Sequence, residues 1–337
     1  MKQINHFCTY FDQRYLPNAL ALYESLKKVS YNFKLWALCF DEVSYQRISD
    51  LKEVTIQPVS INEFLNIDKE LRIAKENRSL IEFYFTCTPS LPLYIFNHFS
   101  GLDQITYLDA DLFFFQNPEP IFEEINKASI AIIPHRFPNK LKYLEENGIY
   151  NVGWLTFNRD SEGLECLTRW RNQCIEWCFD YIDESRFADQ GYLNEWPRLF
   201  KNISIIQHKG ANLAPWNFSQ YKINSLDKVI WIDEDPLIFY HFQSLVRLKF
   251  GFYKLNFGKY KSTPTQVLKE KIYRPYLKIL EKNFLSENLY KLNRIRNTMD
   301  SFDFDLKDDV KTKNIFKVYF SIFKNILKGD FMFPWDY

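Results

Sequence analysis

Two carboxylates, Asp109 and Asp111, stand at i and i+2 inside the apolar run Tyr107-Leu-Asp-Ala-Asp-Leu-Phe-Phe-Phe115, with only Ala110 between them. On a strand such a pair shares one face, and where the strand ends a turn lets both reach one point. Burying two like charges in an apolar stretch costs several kcal/mol unless something positive neutralises them. A divalent cation does this well, because hard oxygen ligands suit Mg²⁺ or Mn²⁺. A short D-x-D is also what a strand end looks like when its aspartates cap the next turn, here closed by Asn117-Pro118. Other residues invite chemistry with the same ambiguity. His241 closes an aromatic strand, as a metal ligand or as a hydrogen-bonded core residue. Asp189-Gln190 precedes a helical run, and Asp189 can serve it as an N-cap. Gly153, in Tyr150-Asn-Val-Gly-Trp154, permits close approach of a ligand to a strand.

The elements that must position these groups follow from periodicity. His6–Tyr10 reads as a first strand, residues 16–28 as a helix, 33–40 as a strand, 43–51 as a helix and 54–59 as a third strand. Such alternation predicts an α/β, parallel, doubly wound sheet, whose ligands bind at the carboxyl ends of the strands. Thr9, Tyr10, Asp12 and Tyr15 therefore fall where a nucleotide base is expected, although Asp12 equally suits an ordinary turn into a helix. Neither G-x-G-x-x-G nor a P-loop is present. Residues 61–75 read as polar and helical. Residues 78–98 form a long apolar segment that Pro89 and Pro92 must kink or break. Its Glu82, Thr86, Thr88 and Ser90 either line a pocket or satisfy backbone around the prolines. Residues 104–108 form the strand that delivers the paired aspartates.

Composition bounds the reading. A chain of 337 residues, 46% hydrophobic and 25% charged, has enough apolar material for one large domain with an appendage. A formal net charge of +1 gives no electrostatic case for nucleic acid. Aromatics reach 18%, which suits stacking on bases and sugars or contact with a membrane surface. The amino-terminal residues read straight into a strand, without a secretory signal, and no apolar run approaches the roughly 20 residues of a membrane span. Six cysteines lack C-x-x-C or zinc spacing. They read as buried thiols of a reducing, cytoplasmic compartment.

Taken in order, these motifs resemble the GT-A glycosyltransferases, most closely the retaining galactosyltransferase and glycogenin-like family 8, over residues 3 to 250. Asp109-Ala110-Asp111 resembles the family's metal and diphosphate motif. Asn151-Val-Gly153 stands where the family has Asn-Ala/Ser-Gly, and Asp189-Gln190 where it has Asp-Gln, both contacting the donor sugar. His241-Phe-Gln-Ser-Leu-Val-Arg247 resembles its His-x-x-Gly-x-x-Lys, with Ser244 in place of the glycine and Arg247 in place of the lysine. In that motif the histidine is the third metal ligand and the lysine grips the diphosphate, which an arginine can also clamp. The family's basic residue before the D-x-D aligns with Ser90, and Arg78 is the nearest upstream substitute.

The resemblance implies a GT-A, Rossmann-like mixed sheet over residues 1–250 and a helical extension over 251–337. It further implies a Mn²⁺- or Mg²⁺-dependent transfer of a sugar, with a UDP-sugar favoured, to a glycan or lipid-linked acceptor. Asp109, Asp111 and His241 would hold the ion, Asp189 would orient sugar hydroxyls, and a front-face retaining reaction would run beside Gln190. In the extension, residues 265–282 and 286–299 read as helices and 300–309 as an acidic linker. Residues 310–328 form a basic, aromatic amphipathic helix that either docks on the catalytic domain or lies on the inner face of an anionic membrane. A membrane-bound acceptor would suit bacterial surface-polysaccharide synthesis. Two rivals remain: a sugar nucleotidyltransferase, which normally carries a Gly-rich basic loop after its first strand, and a non-catalytic binding module of the same fold.

Overall fold

The computed structural model describes residues 4–30, 32–248, 251–298 and 330–334. They divide into two compact units, Met1–Phe242 and Gln243–Tyr337.

The first unit opens with β1 (Asn5–Phe11), α1 (Leu16–Val29), β2 (Phe33–Cys39), α2 (Glu42–Asp50) and β3 (Ile56–Ser60). Next come α3 (Ile61–Ile67), α4 (Lys69–Ala74), α5 (Leu80–His98), β4 (Gln104–Leu108) and β5 (Leu112–Phe114). The unit continues through α6 (Glu119–Ile125), β6 (Ile130–Pro134), β7 (Tyr150–Asn158), α7 (Ser161–Glu176), α8 (Trp196–Leu199) and β8 (Ile203–Ile205). It ends with β9 (Ile223–Leu226), β10 (Val229–Ile232), β11 (Asp235–Pro236) and β12 (Phe239–His241). Seven strands make the central sheet in the order β3-β2-β1-β4-β7-β6-β8. β1 to β4 pair in parallel, while β7 runs antiparallel to both neighbours, so the sheet is mixed.

Alternation along β1 and β2 feeds two cores. Phe7, Phe11, Leu35 and Ala37 pack with Leu16 and Leu20 of α1, while Cys8, Trp36 and Leu38 face Phe83, Leu91 and Ile95 of α5 and Trp170 of α7. Both faces of the sheet are thus covered, as a doubly wound fold requires. All six cysteines are buried free thiols. Among the described residues no helix is long and apolar enough to cross a membrane.

Two segments read from the sequence take a definite form in this unit. The segment with Pro89 and Pro92 is one helix, α5, with both prolines inside it. Its start is secured by a capping box between Ser79 and Glu82, and every residue from Thr86 to Pro92 is buried. Packing on that scale offsets the roughly 3 kcal/mol or more that an internal proline costs a helix. The helical segment expected over 61–75 is formed by α3, α4 and the start of a short 3-10 turn. Asp68 divides them: it leaves helical geometry and its carboxylate caps α4 at the Leu71 N–H, 2.9 Å away.

In the second unit β13 (Val246–Arg247), β14 (Tyr253–Lys254) and β15 (Phe331–Met332) form a small antiparallel sheet. A π-helical stretch, Leu268–Tyr273, runs directly into α9 (Arg274–Thr298). The two helices expected over 265–282 and 286–299 are therefore continuous, because Asn283-Phe-Leu285 between them contains neither glycine nor proline to end the turn. The acidic linker and the amphipathic helix expected over 300–328 lie outside the described residues.

What positions the site is a second, two-stranded ladder. β5 pairs antiparallel with β12, matching Phe114 to Phe239, Phe113 to Tyr240 and Leu112 to His241. Trp154 of β7, fully buried, stacks on Phe239 at 5.4 Å between centroids and also contacts Phe114, Phe7 and Phe122. It ties the ladder to the central sheet. Replacing Trp154 by Ala is expected to lower the unfolding free energy by about 3–5 kcal/mol. Replacing Val54, which is 87% exposed, should change it by less than about 0.5 kcal/mol. Urea denaturation monitored by circular dichroism checks both, and similar midpoints for the two variants would contradict this role.

Candidate active site

β4 ends at Leu108, and the chain turns through Asp109-Ala-Asp111 before β5 begins. The turn is closed by the Leu112 N–H donating to the Asp109 carbonyl at 3.3 Å. Directly after it, the register of β5 with β12 sets His241 opposite Leu112, and the Phe242 N–H donates to the Asp111 carbonyl at 3.0 Å. His241 Nε2 then lies 3.1 Å from Asp111 Oδ1 and 3.6 Å from Asp109 Oδ2. One ligand atom from each of the three residues falls within 4.8 Å of the others. The His241 side chain is 3% exposed, that of Asp111 13% and that of Asp109 29%, so the carboxylates give the cluster its opening. Burial pushes Asp109 up to about 6, with Asp111 adding to the rise and His241 and the Tyr107 hydroxyl opposing it. Burial also works against a charge on His241, but Asp111 and Asp109 outweigh it and raise the imidazole above its ordinary value.

Behind the cluster stands a polar relay. His241 Nδ1 is 3.2 Å from Asn151 Oδ1, which also accepts from the Gly153 N–H at 3.2 Å. The Asn151 amide nitrogen is 3.2 Å from Nε2 of His135, whose Nδ1 is 3.2 Å from the Ile149 carbonyl. A Cβ on Gly153 would sit 2.6 Å from Asn151 Oδ1 and 3.0 Å from the His241 ring, so only glycine lets β7 pass here. His135 was absent from the sequence-based candidates. The only signals for it are its place just past the end of β6 and the presence of only five histidines in the chain. Burial pushes it down to about 3, which keeps it neutral.

The expected nucleotide side gathers around the ends of β1 and α5. The Tyr10 hydroxyl meets Thr88 at 3.1 Å, and the Tyr10 and Tyr107 rings lie 5.6 Å apart. The Thr9 hydroxyl is buried with no hydrogen-bond partner. Tyr15 is 51% exposed; its hydroxyl is pushed up to about 12, first by the charge of Asp111 and then by burial. The Asp12 carboxylate is occupied by Arg14 at 2.6 Å and by the Tyr84 hydroxyl at 3.0 Å, and it caps the turn into α1 through the Arg14 and Tyr15 N–H groups. Burial opposes its charge, but Arg14 prevails and holds the carboxyl below the usual range.

Asp189 is buried, and that burial, with the charge of Asp109 adding, pushes it up to about 7 against a hydrogen bond from Thr88. It does not cap a helix: Gln190 occupies the N-cap position of the following 3-10 turn. The Gln190 amide donates to the Asn147 carbonyl at 2.9 Å, and its side chain lies against Gly148, whose φ of +134° a substituted residue would rarely adopt.

Two candidates of the first unit stand elsewhere in it, and a third belongs to the second unit. The Arg78 guanidinium donates to the Ile175 and Glu176 carbonyls at the end of α7 and stacks over Phe179 at 4.0 Å. Ser90 lines a cleft with Phe64, Asp68, Tyr94 and Arg171. It lies about half a helical turn round from Thr88, which is the residue of α5 that meets Tyr10. Arg247 belongs to the second unit, where Glu281 clamps it through two hydrogen bonds of 2.7 and 2.6 Å and Phe284 stacks 3.6 Å from it.

Residues 6–209 match the profile of the family described as glycosyl transferase family 8. The chain is 31% identical over 277 residues to the uncharacterized protein YfnD of Bacillus subtilis (strain 168), spanning 81% of this chain and 87% of that one. It is 33% identical over 247 residues to the uncharacterized protein YfnF of the same strain, spanning 70% and 80%. Among solved structures, the galactosyltransferase LgtC in complex with donor and acceptor sugar analogues is similar at a TM-score of 0.49 and 14% identity, over 79% of this chain and all of that one. Mouse xyloside xylosyltransferase 1 is similar at a TM-score of 0.47 and 15% identity, over 72% of this chain and 98% of that one. With a family match across more than half of its length and two relatives above 30% identity, the chain belongs to glycosyltransferase family 8 and is a glycosyltransferase of the GT-A fold.

Proposed function

We propose that this enzyme moves a sugar from a nucleotide-diphosphate donor, a UDP-sugar in our reading, to a hydroxyl of a glycan or lipid-linked saccharide. The observation that carries the proposal is the convergence of Asp109, Asp111 and His241 within 4.8 Å of one another. The donor set fits a hard divalent cation. Ligands in adjacent positions on an octahedral ion with bonds of about 2.1 Å lie about 3 Å apart, and the imidazole nitrogen stands 3.1 and 3.6 Å from the two carboxylates. Two carboxylates that approach one another in a semi-buried turn also call for a positive partner. When bound there, Mn²⁺ or Mg²⁺ supplies Lewis-acid and electrostatic neutralisation of the departing diphosphate.

The chain's own residues do the rest. In this reading Thr9, Tyr10, Asp12 and Tyr15 hold base and ribose, with exposed Tyr15 offering a ring for stacking and buried Thr9 a free hydroxyl. Asp189, adjacent in charge to Asp109, orients sugar hydroxyls. Gln190, held by the Asn147 carbonyl, flanks the anomeric carbon, and we infer a front-face transfer with retention. Arg247 assists at the diphosphate once released from Glu281. We place the reaction in bacterial surface-polysaccharide synthesis, with peripheral membrane contact through residues 310–328.

Calorimetric titration of UDP and GDP, each with and without Mn²⁺, tests the site. UDP is expected to bind only with metal, and Asp111→Ala to abolish that binding. Failure of both nucleotides to bind under any condition would favour a non-catalytic binding module. Asp189→Asn should slow donor turnover about 10- to 100-fold, the loss of one charge-assisted hydrogen bond worth about 1.5–3 kcal/mol. Proton NMR of the first-formed product is expected to show the donor's own anomer, and the opposite anomer would sink the retaining reading. The full chain should pellet with anionic vesicles more than a chain ending at residue 309, and equal pelleting would remove the membrane contact from the proposal.

A further inference from the structure

We propose that His135 is a positioning residue of the metal site: through Asn151 it holds His241 in the one tautomer whose Nε2 lone pair faces Asp109 and Asp111. The inference rests on the metal reading above, but it depends on hydrogen-bond direction, which backbone groups fix at two points.

The Gly153 N–H can only donate, so the Asn151 atom 3.2 Å from it is the amide oxygen. The amide nitrogen then faces His135 Nε2, also at 3.2 Å. That nitrogen can only donate, so His135 Nε2 must accept and carry no proton. At the far side of the ring the Ile149 carbonyl, 3.2 Å from Nδ1, can only accept, and the His135 proton therefore sits on Nδ1. The same logic runs the other way. Asn151 Oδ1 can only accept, so His241 Nδ1, 3.2 Å away, carries a proton. In the neutral ring this leaves the lone pair on Nε2, the atom beside both carboxylates. Partners of this kind behind a ligating imidazole set its tautomer and its orientation.

The surroundings hold His135 rigidly to this task. Its carbonyl accepts from Trp216 Nε1 at 2.8 Å and from the Asn217 amide at 2.9 Å. Its ring stacks on Phe137 at 4.7 Å and 10°, and Trp216 meets both histidine rings edge-on, at 5.3 and 5.2 Å. His135 is 6% exposed and Asn151 4%. Neither presents an open surface to a solvent-borne substrate, which favours support over contact.

The test uses the full-length chain and Mn²⁺ alone, titrated calorimetrically into wild type, His135→Leu and His135→Gln. Leu fills comparable space without an acceptor, while the Gln amide oxygen replaces the Nε2 acceptor. Leu is expected to weaken Mn²⁺ binding on the order of 10- to 100-fold, with Gln staying close to wild type. In ¹⁵N-histidine-labelled wild type, long-range ¹⁵N–¹H spectra should place the His135 proton on Nδ1. Wild-type affinity in the Leu variant, equal weakening of both variants, or a proton on His135 Nε2 would each overturn the inference. If the Leu variant does not fold, a weakened Gln variant or the Nε2 tautomer overturns it, and a preserved Gln affinity with the Nδ1 tautomer supports it. Absence of Mn²⁺ binding in wild type overturns the metal reading itself, and so differs from Mn²⁺ binding that His135→Leu leaves unchanged.

Discussion

Like-charge repulsion between two largely buried carboxylates governs the architecture around Asp109 and Asp111. Such a pair is tolerable only beside a positive group, and the chain supplies an imidazole from far along its sequence. The delivery is made by backbone pairing: once Leu112 is in register with His241, the imidazole has no freedom to be elsewhere. The ladder in turn leans on Trp154, so a buried aromatic in the middle of β7 backs the strands that flank the Asp109-Ala-Asp111 turn. Strand β7 therefore serves twice, carrying Asn151 and Gly153 on the polar side of the site and Trp154 in the core.

The same strand explains why polar groups behind the site are so fully engaged. Asn151 is buried, and its amide is spoken for by two histidines and a backbone N–H. A buried amide left unpaired costs about 1–3 kcal/mol, so this relay stabilises the fold as well as orienting His241. Gly153 belongs to it for a steric reason alone, since any side chain would displace the Asn151 oxygen. The family resemblance assigns Asn151 to the donor sugar; in the structure its side-chain hydrogen bonds run to His135, His241 and the Gly153 N–H.

Charges that lie outside this cluster satisfy themselves locally. Arg78 caps the end of α7, where helix carbonyls favour a cation. Arg14 neutralises Asp12. Arg247 is matched in its own unit by Glu281, whose other partner is the Tyr253 hydroxyl, 2.7 Å away. A basic residue identified by its place in a motif can thus be engaged by other groups, because a guanidinium with five donors binds whatever carboxylate or carbonyl comes within reach.

Much of the fold was legible in the chain because its signals are local. Strand–helix alternation, the apolar run around Asp109-Ala-Asp111, and the glycine in β7 all depend on neighbours in sequence, and they led to the α/β sheet and to the paired carboxylates, while His241 joined them only through the family resemblance. The effect of Pro89 and Pro92 was less legible: a proline's cost is local, but the packing that keeps α5 continuous around both of them is not. His135 was invisible because its role arises only when β6 and β7 lie side by side. A lone histidine in a strand-end loop carries no mark of the asparagine it will meet. Sequence alone determined the pair of carboxylates at Asp109 and Asp111 and which segments form strands and helices, since composition and periodicity act over a few residues. Only the tertiary structure decided which polar groups face one another, because hydrogen-bond direction and like-charge pairing depend on distances that chain folding sets.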